Sequence, residues 1–221
     1  MADTSKLSNL TSLRAITLLL LQVQDSDLAF LSNNSNLESI TMANCQYLTG
    51  SWGSTVAALS SITRLSTEYP LGYVSSLHNL VELEAPFVES SDVNALIGFS
   101  KLKTLHFSLE DNLTTQFQQN LSKFNNLSKL ILEFSRHAAA MQLTPLSNLT
   151  YLEISQAFIN AEWLSILSNL QVLIIEGTNV EPMLMHATRL KQLRTLQVKE
   201  KEITDYLKSL FPFIQPLRYN Y

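Results

Sequence analysis

The segment LSNLQVLIIE, residues 167–176, contains the pattern that decides the fold. Successive side chains of a β-strand point to opposite faces, so Leu173 and Ile175 are predicted to point into a core and the residues between them outward. The segment therefore predicts a short strand with one buried face.

The same phrase returns along the chain at a nearly constant spacing. Its copies open at Leu13, Leu37, Ile62, Leu80, Leu102, Leu127, Leu149, Leu170 and Leu193. The mean spacing is about 22.5 residues, inside the window of one class of repeat proteins. A repeat of this size cannot bury its leucines alone, so each copy is predicted to stack on its neighbours, with one strand per repeat in a parallel ladder.

These nine copies of L-x-x-L-x-L resemble the leucine-rich-repeat family, over nearly the whole chain from Leu7 to about Ile203. The family's phrase continues with Asn or Cys three residues after the last strand leucine, a place that only Cys45 fills here, which indicates a divergent subfamily. The resemblance implies an α/β solenoid shaped like a horseshoe. A parallel β-sheet would form its concave face, and short helices, 3₁₀ turns or loops its convex face.

The repeats predict one domain, with a solenoid over residues 1–203 and a capping segment over residues 204–221. Apolar residues at helical spacing over 115–121 and 161–167 predict helices or 3₁₀ turns on the convex side. Between the third and fourth repeats the spacing is short and Pro70 interrupts it, so an extended connection is expected there.

The first strand, Ala15 to Leu21, is apolar on both faces. Because a solenoid end normally needs a polar cap, either a preceding segment or a partner is expected to cover it. End-to-end association through this strand is one alternative, and the chain is expected to be part of a longer protein.

Composition argues against several partners. Of the 221 residues, 41 are leucine and only 15% are charged, and the net charge of −4 gives no attraction to phosphate backbones or anionic lipid. Neither nucleic acid nor membrane is therefore expected as a partner. The one cysteine, Cys45, is predicted to be a small buried residue in a turn, which suits a reducing compartment. The N-terminus lacks the apolar run of a secretory signal, so a cytoplasmic location is predicted, or the host-cell cytosol for a secreted effector.

Motifs of catalysis and cofactor binding are missing from the sequence. The five glycines do not form G-x-G-x-x-G or a phosphate loop, and the four histidines do not form H-E-x-x-H. No cofactor, metal site or catalytic activity is predicted. One alternative is an enzyme whose site assembles across repeats, for which His106, Glu84 and Glu133 would have to surround a metal.

A second alternative is an extracellular, glycosylated recognition domain. Six N-x-S/T acceptors occur, at Asn9, Asn33, Asn112, Asn120, Asn126 and Asn148. Three of them lie in the repeat phrase itself, so they are interpreted as good turn sequences. The single cysteine also argues against this alternative, because extracellular domains of the family usually carry cysteine-rich caps.

The outward strand positions are the predicted binding surface. Apolar residues cluster in repeats six to eight and are flanked by carboxylates, which is typical of a docking site for a basic partner. The predicted partner-binding residues are Glu84, His106, Ile131, Glu133, Tyr151, Glu153, Val172, Ile174 and Glu176. The alternative is an ordinary exposed sheet rich in β-branched residues.

Two details of this surface stay open at the level of sequence. His106 is either a solvated surface imidazole or a pH-sensitive contact residue. Tyr69, Phe87 and Phe134 either extend the surface or fold into the turns. Together the observations predict a non-catalytic protein–protein interaction module that binds a protein partner on its concave face. By the resemblance, such a module is the recognition part of a larger protein, as in immune receptors, ubiquitin-ligase receptors, phosphatase regulators and secreted bacterial effectors.

Overall fold

The structure is a computed structural model that describes residues 9–86, 90–109, 114–134, 143–155, 161–177, 180–199 and 209–211. Its contacts divide the chain into two compact units, Met1–Ser108 and Leu109–Tyr221. Only residues 209–211 of the predicted capping segment are described. The boundaries at residues 203 and 204 therefore stay a prediction.

The described ranges contain nine short strands at the predicted spacing. In the first unit they are β1 (Ala15–Leu19), β2 (Ser39–Ala43), β3 (Arg64–Thr67), β4 (Glu82–Ala85) and all but the last residue of β5 (Thr104–Leu109). They are followed by β6 (Lys129–Phe134), β7 (Tyr151–Ser155), β8 (Val172–Glu176) and β9 (Thr195–Lys199). The parallel sheet follows chain order, from β1 to β5 in the first unit and from β6 to β9 in the second.

The segments between strands return through short helices. The α-helices are α1 (Trp52–Ala57), α2 (Ser90–Gly98), α3 (Thr114–Asn120) and α4 (Glu181–Ala187). The 3₁₀ helices are Asp25–Asn33, Leu71–Val74, Leu121–Lys123 and Glu162–Ile166. The helices predicted over 115–121 and 161–167 are thus confirmed. None of the helices in the described ranges is long and apolar enough to cross a membrane.

Strand alternation places the core where the sequence predicts it. In β8, Leu173 and Ile175 are fully buried, whereas Val172 and Ile174 are half-buried and Glu176 is exposed. The leucine or isoleucine that opens each repeat is buried from Leu37 to Leu193. Burial of these side chains against neighbouring repeats supplies the main driving force for folding.

Backbone hydrogen bonds fix the register between repeats. A backbone hydrogen bond between the two leucines of an L-x-x-L phrase closes a tight turn. In the eighth repeat the Leu170 N–H donates to the Leu167 carbonyl at 2.9 Å. The carbonyl of Thr150 then accepts two N–H groups of the next repeat, from Gln171 at 2.8 Å and Val172 at 3.0 Å. The same pair of bonds recurs at the other strand starts described within each unit, so each strand begins at the same height as its neighbour.

Asparagine side chains reinforce these turns. The Asn148 amide donates to the Asn125 carbonyl at 2.7 Å, and the Asn169 amide donates to the Ser147 carbonyl at 2.9 Å. Each bond joins the turn of one repeat to the turn of the repeat before it. The Ser-Asn-Leu phrase therefore has a structural role, as the sequence interpretation of Asn148 supposed.

Asp25 ties the second repeat to the first. Its carboxylate accepts hydrogen bonds from the Thr49 N–H at 3.0 Å and the Ser51 N–H at 3.1 Å, and from both hydroxyls. Partial burial alone would raise the pKa of Asp25, but the hydrogen bonds from Ser51 and Thr49 outweigh it and lower the pKa below 3.8. The carboxylate therefore stabilises the fold above pH 3.8, and this contribution is lost as the pH falls through the lowered pKa.

The first strand is shorter than expected. It ends at Leu19, because Leu20 adopts φ +55°, a left-handed conformation that interrupts the strand. Leu19, the last residue of the strand, and Leu20, the residue after it, are exposed apolar side chains, with exposed fractions of 50% and 79%. Association through this strand stays a prediction.

The extended connection expected around Pro70 is wrong. A 3₁₀ helix, Leu71–Val74, begins directly after Pro70. Proline suits this position because it has no backbone N–H that would need an acceptor. The first N–H groups of the helix are capped by the buried carboxylate of Asp92, at 2.6 Å from the Leu71 nitrogen and 3.3 Å from the Gly72 nitrogen. The acceptor comes from the following repeat, so the local sequence could not indicate it.

We expect Asp92→Ala to lower the free energy of unfolding by about 2–3 kcal/mol, because it removes the acceptor of two N–H groups. Asn94→Ala, an exposed change in the same helix, is the control and should have little effect. Urea denaturation measures both, and equal midpoints for the two variants would contradict the capping role.

Leu20→Asn should stabilise the protein by about 0.5–1 kcal/mol, because Asn adopts the left-handed conformation at lower cost than Leu. The following repeat already has Asn44 at φ +52° in the equivalent place. Leu19→Asn, in extended backbone, is the control and should give no gain. A thermal melt in which both variants lose stability equally would refute the explanation.

Candidate functional site

The predicted surface of repeats six to eight lies within the second unit, on strands β6, β7 and β8. The parallel register pairs Ile131 with Glu153, and Glu153 with Ile174. These three residues form a row across the strands, although each is separated from the next by more than twenty residues of sequence. A carboxylate therefore lies between two isoleucines.

A second row lies beside the first. The register pairs Lys129 with Tyr151, and Tyr151 with Val172. Glu133 and Glu176 follow along strands β6 and β8, beyond the isoleucines. We call the predicted residues Ile131, Glu133, Tyr151, Glu153, Val172, Ile174 and Glu176 the β6–β8 face.

Burial divides this face into a centre and a rim. The side chains of Ile131, Tyr151, Glu153, Val172 and Ile174 are half-buried, whereas Glu133 and Glu176 are exposed. Glu133 and Glu176 lie at the rim, as the sequence predicts, whereas Glu153, predicted as a third flanking carboxylate, lies in the half-buried centre.

Two polar contacts organise the centre. The Tyr151 hydroxyl donates a hydrogen bond to Oε2 of Glu153 at 2.8 Å. The ammonium of Lys129 lies over the Tyr151 ring, 4.5 Å from its centroid. The Lys129 ammonium on β6 therefore contacts the Tyr151 ring on β7, and the Tyr151 hydroxyl contacts the Glu153 carboxylate on the same strand.

Solved structures share the architecture of this chain. An internalin (inlF) from Listeria monocytogenes aligns with a TM-score of 0.61 at 18% sequence identity, over 100% of this chain and 71% of that one. TLR13, in its complex with ssRNA13, aligns with a TM-score of 0.54 at 16% identity, over 96% of this chain and 37% of that one. The chain folds as a leucine-rich-repeat protein. No protein-family model matches the sequence, and no curated protein matches it.

The other two predicted site residues of this leucine-rich-repeat chain belong to the first unit. Glu84 and His106 are register partners on β4 and β5, and Nδ1 of His106 lies 3.4 Å from Oε1 of Glu84. Glu84 is exposed and His106 is half-buried. Protonation of the imidazole would convert this contact into an ion pair.

The described part of the chain contains no group of three or more His, Cys, Asp or Glu side chains placed to hold a metal ion.

Tyr69 folds into a turn instead of extending a binding surface. Its hydroxyl donates to the Cys45 carbonyl at 2.6 Å and accepts from the Cys45 N–H at 2.8 Å. Burial raises the pKa of the Tyr69 hydroxyl above its ordinary value. Phe87 and the side chain of Phe134 lie outside the described residues.

Cys45 is a buried free cysteine in the turn after β2, as predicted. Its sulfur lies 3.4 Å from the Leu18 carbonyl oxygen of the preceding repeat. The residue fills the position where the leucine-rich-repeat phrase has Asn or Cys, and it contributes to packing between repeats.

Sequence reasoning missed the role of Lys129. Lys129 is not among the predicted site residues, although the repeat alignment places it at an outward position beside Tyr151. The Tyr-x-Glu spacing of Tyr151 and Glu153 carried a further signal, because residues two apart on a strand share a face.

We expect Ile174→Lys to change the free energy of unfolding by less than about 1 kcal/mol, because Ile174 faces outward and a lysine can extend into solvent. Leu173→Lys should cost more than about 3 kcal/mol, because it places a charge in the core. Thermal and urea denaturation compare the two, and similar losses would show that the faces of β8 are wrongly assigned.

Proposed function

We propose that this chain is a protein-binding module without catalytic activity of its own, and that its β6–β8 face docks a basic protein partner. The observation that carries the proposal is the row Ile131–Glu153–Ile174, an apolar centre with a carboxylate in its middle. Protein interfaces commonly combine a buried apolar and aromatic centre with a polar rim.

Charge supports a basic partner. The face carries the carboxylates of Glu133, Glu153 and Glu176, and the adjacent cation Lys129 lies over the Tyr151 ring. Opposite charges on the two partners speed association and select against acidic competitors. The chain as a whole has a net charge of −4, which adds to the attraction.

Tyr151 suits the role of an anchor at this surface. Its ring is half-buried and its hydroxyl is held by Glu153, so little side-chain freedom is lost when a partner binds. Ile131 and Ile174 provide apolar area on either side of the carboxylate. Such a rigid, partly apolar surface fits an extended or helical peptide segment better than a small ligand.

RNA is the rival partner, since the TLR13 structure contains an RNA. A protein partner is favoured because the three carboxylates of the β6–β8 face would repel a phosphate backbone. We further propose a reducing, cytoplasmic location. The free, buried Cys45 and the structural use of the Asn148 amide support it over a glycosylated extracellular form.

The test compares two double variants with the same change of charge. Glu133→Lys with Glu176→Lys reverses the rim of the face, and Glu162→Lys with Glu181→Lys reverses two exposed carboxylates at other places in the second unit. We expect basic proteins captured from cell lysate by the wild type to be retained by the second variant. The first variant should lose them by at least about tenfold, because two attractions become repulsions.

Quantitative mass spectrometry of the captured proteins gives the result, after thermal melts confirm that both variants fold. Equal capture by both variants would refute docking on this face. A labelled single-stranded RNA that binds the wild type, and binds the rim variant more tightly, would favour nucleic acid instead.

A further inference from the structure

In the unbound chain, a positively charged side chain already lies over the Tyr151 ring. Lys129 and Tyr151 are register partners on adjacent strands, and the Lys129 ammonium lies 4.5 Å from the ring centroid. The face of an aromatic ring attracts positive charge through its quadrupole. The contact with Lys129 therefore indicates that the Tyr151 ring is placed to bind a positively charged side chain.

A carboxylate stands beside the ring. Oε2 of Glu153 accepts the Tyr151 hydroxyl proton at 2.8 Å, which orients ring and carboxylate relative to one another. Glu153 is half-buried between Ile131 and Ile174, where its charge is less screened than in open water. Ring and carboxylate together form a receptor for a cation with apolar flanks.

Lys129 is a weak occupant of this receptor. Lysine is a strongly hydrated point charge on a flexible stem, and a cation–π contact at a solvent-accessible site contributes little. Arginine is a better match, because its planar guanidinium stacks on an aromatic ring and binds a carboxylate through two N–H groups.

We propose that Tyr151 and Glu153 recognise one arginine side chain of the protein partner, and that Lys129 is an internal competitor that leaves the ring when this arginine binds. The inference rests on the proposed function, because it specifies which side chain of the partner the β6–β8 face binds. The apparent affinity for the partner is then set by how much more strongly its arginine binds the Tyr151 ring than Lys129 does.

The experiment uses two peptides that differ in one group, acetyl-Leu-Arg-Leu-amide and the same peptide with neutral citrulline in place of arginine. Binding to the full chain is measured by amide chemical shifts in nuclear magnetic resonance. We expect the arginine peptide to shift residues 129–133, 151–155 and 172–176 and to bind at least about fivefold more tightly than the citrulline peptide.

Variants identify the groups involved. Lys129→Gln should tighten binding of the arginine peptide by about two- to fivefold, because the competitor is removed. Lys123→Gln removes the same charge from an exposed position in the second unit and should have little effect. Tyr151→Leu should abolish the preference for arginine, whereas Tyr151→Phe, which keeps the ring, should retain part of it.

Equal binding of the two peptides, or no shift at these residues with either, would overturn the inference. So would equal effects of Lys129→Gln and Lys123→Gln. If the partner proteins are lost from the rim variant while the two peptides bind equally, the docking face stands and only the arginine receptor fails. If the partner proteins are retained by the rim variant, the proposed function itself fails, whatever the peptides do.

Discussion

Each repeat of this chain carries leucines that it cannot bury alone, and the rest of the structure depends on this constraint. The strands are only four to six residues long, and none has a core of its own. Burial becomes complete only when a repeat lies between two others, as for Leu152 and Leu173. The strands must therefore stack in parallel and in register, which decides where every outward side chain lies.

The strand register brings residues that are one repeat apart in the sequence together on one surface. Within each unit, one carbonyl at the start of a strand accepts two N–H groups from the next repeat, so adjacent strands begin at the same level. Residues about twenty-two apart in sequence thereby become neighbours, and Ile131, Glu153 and Ile174 form one row. Because the backbone holds the row, its side chains can vary without loss of the fold, which suits a recognition surface.

Two places depart from what stability alone would select. Glu153 sits half-buried between two isoleucines, where another β-branched residue would extend the apolar row. Leu20 occupies a left-handed conformation with most of its side chain exposed, where the next repeat has an asparagine. Departures of this kind are expected where a surface serves binding and not packing, and the first of them lies at the centre of the β6–β8 face.

The sequence by itself determined the strands, their spacing and their buried faces. Alternation along a strand and recurrence of the leucines are properties of the local chain, so the inward side of Leu173 and the outward side of Ile174 could be predicted. Only the tertiary structure decided the 3₁₀ helix after Pro70, the fold of Tyr69 onto Cys45 and the position of Lys129 over Tyr151. Each of these depends on a partner atom from another repeat, at a distance and angle that the packed chain sets and that no local pattern contains.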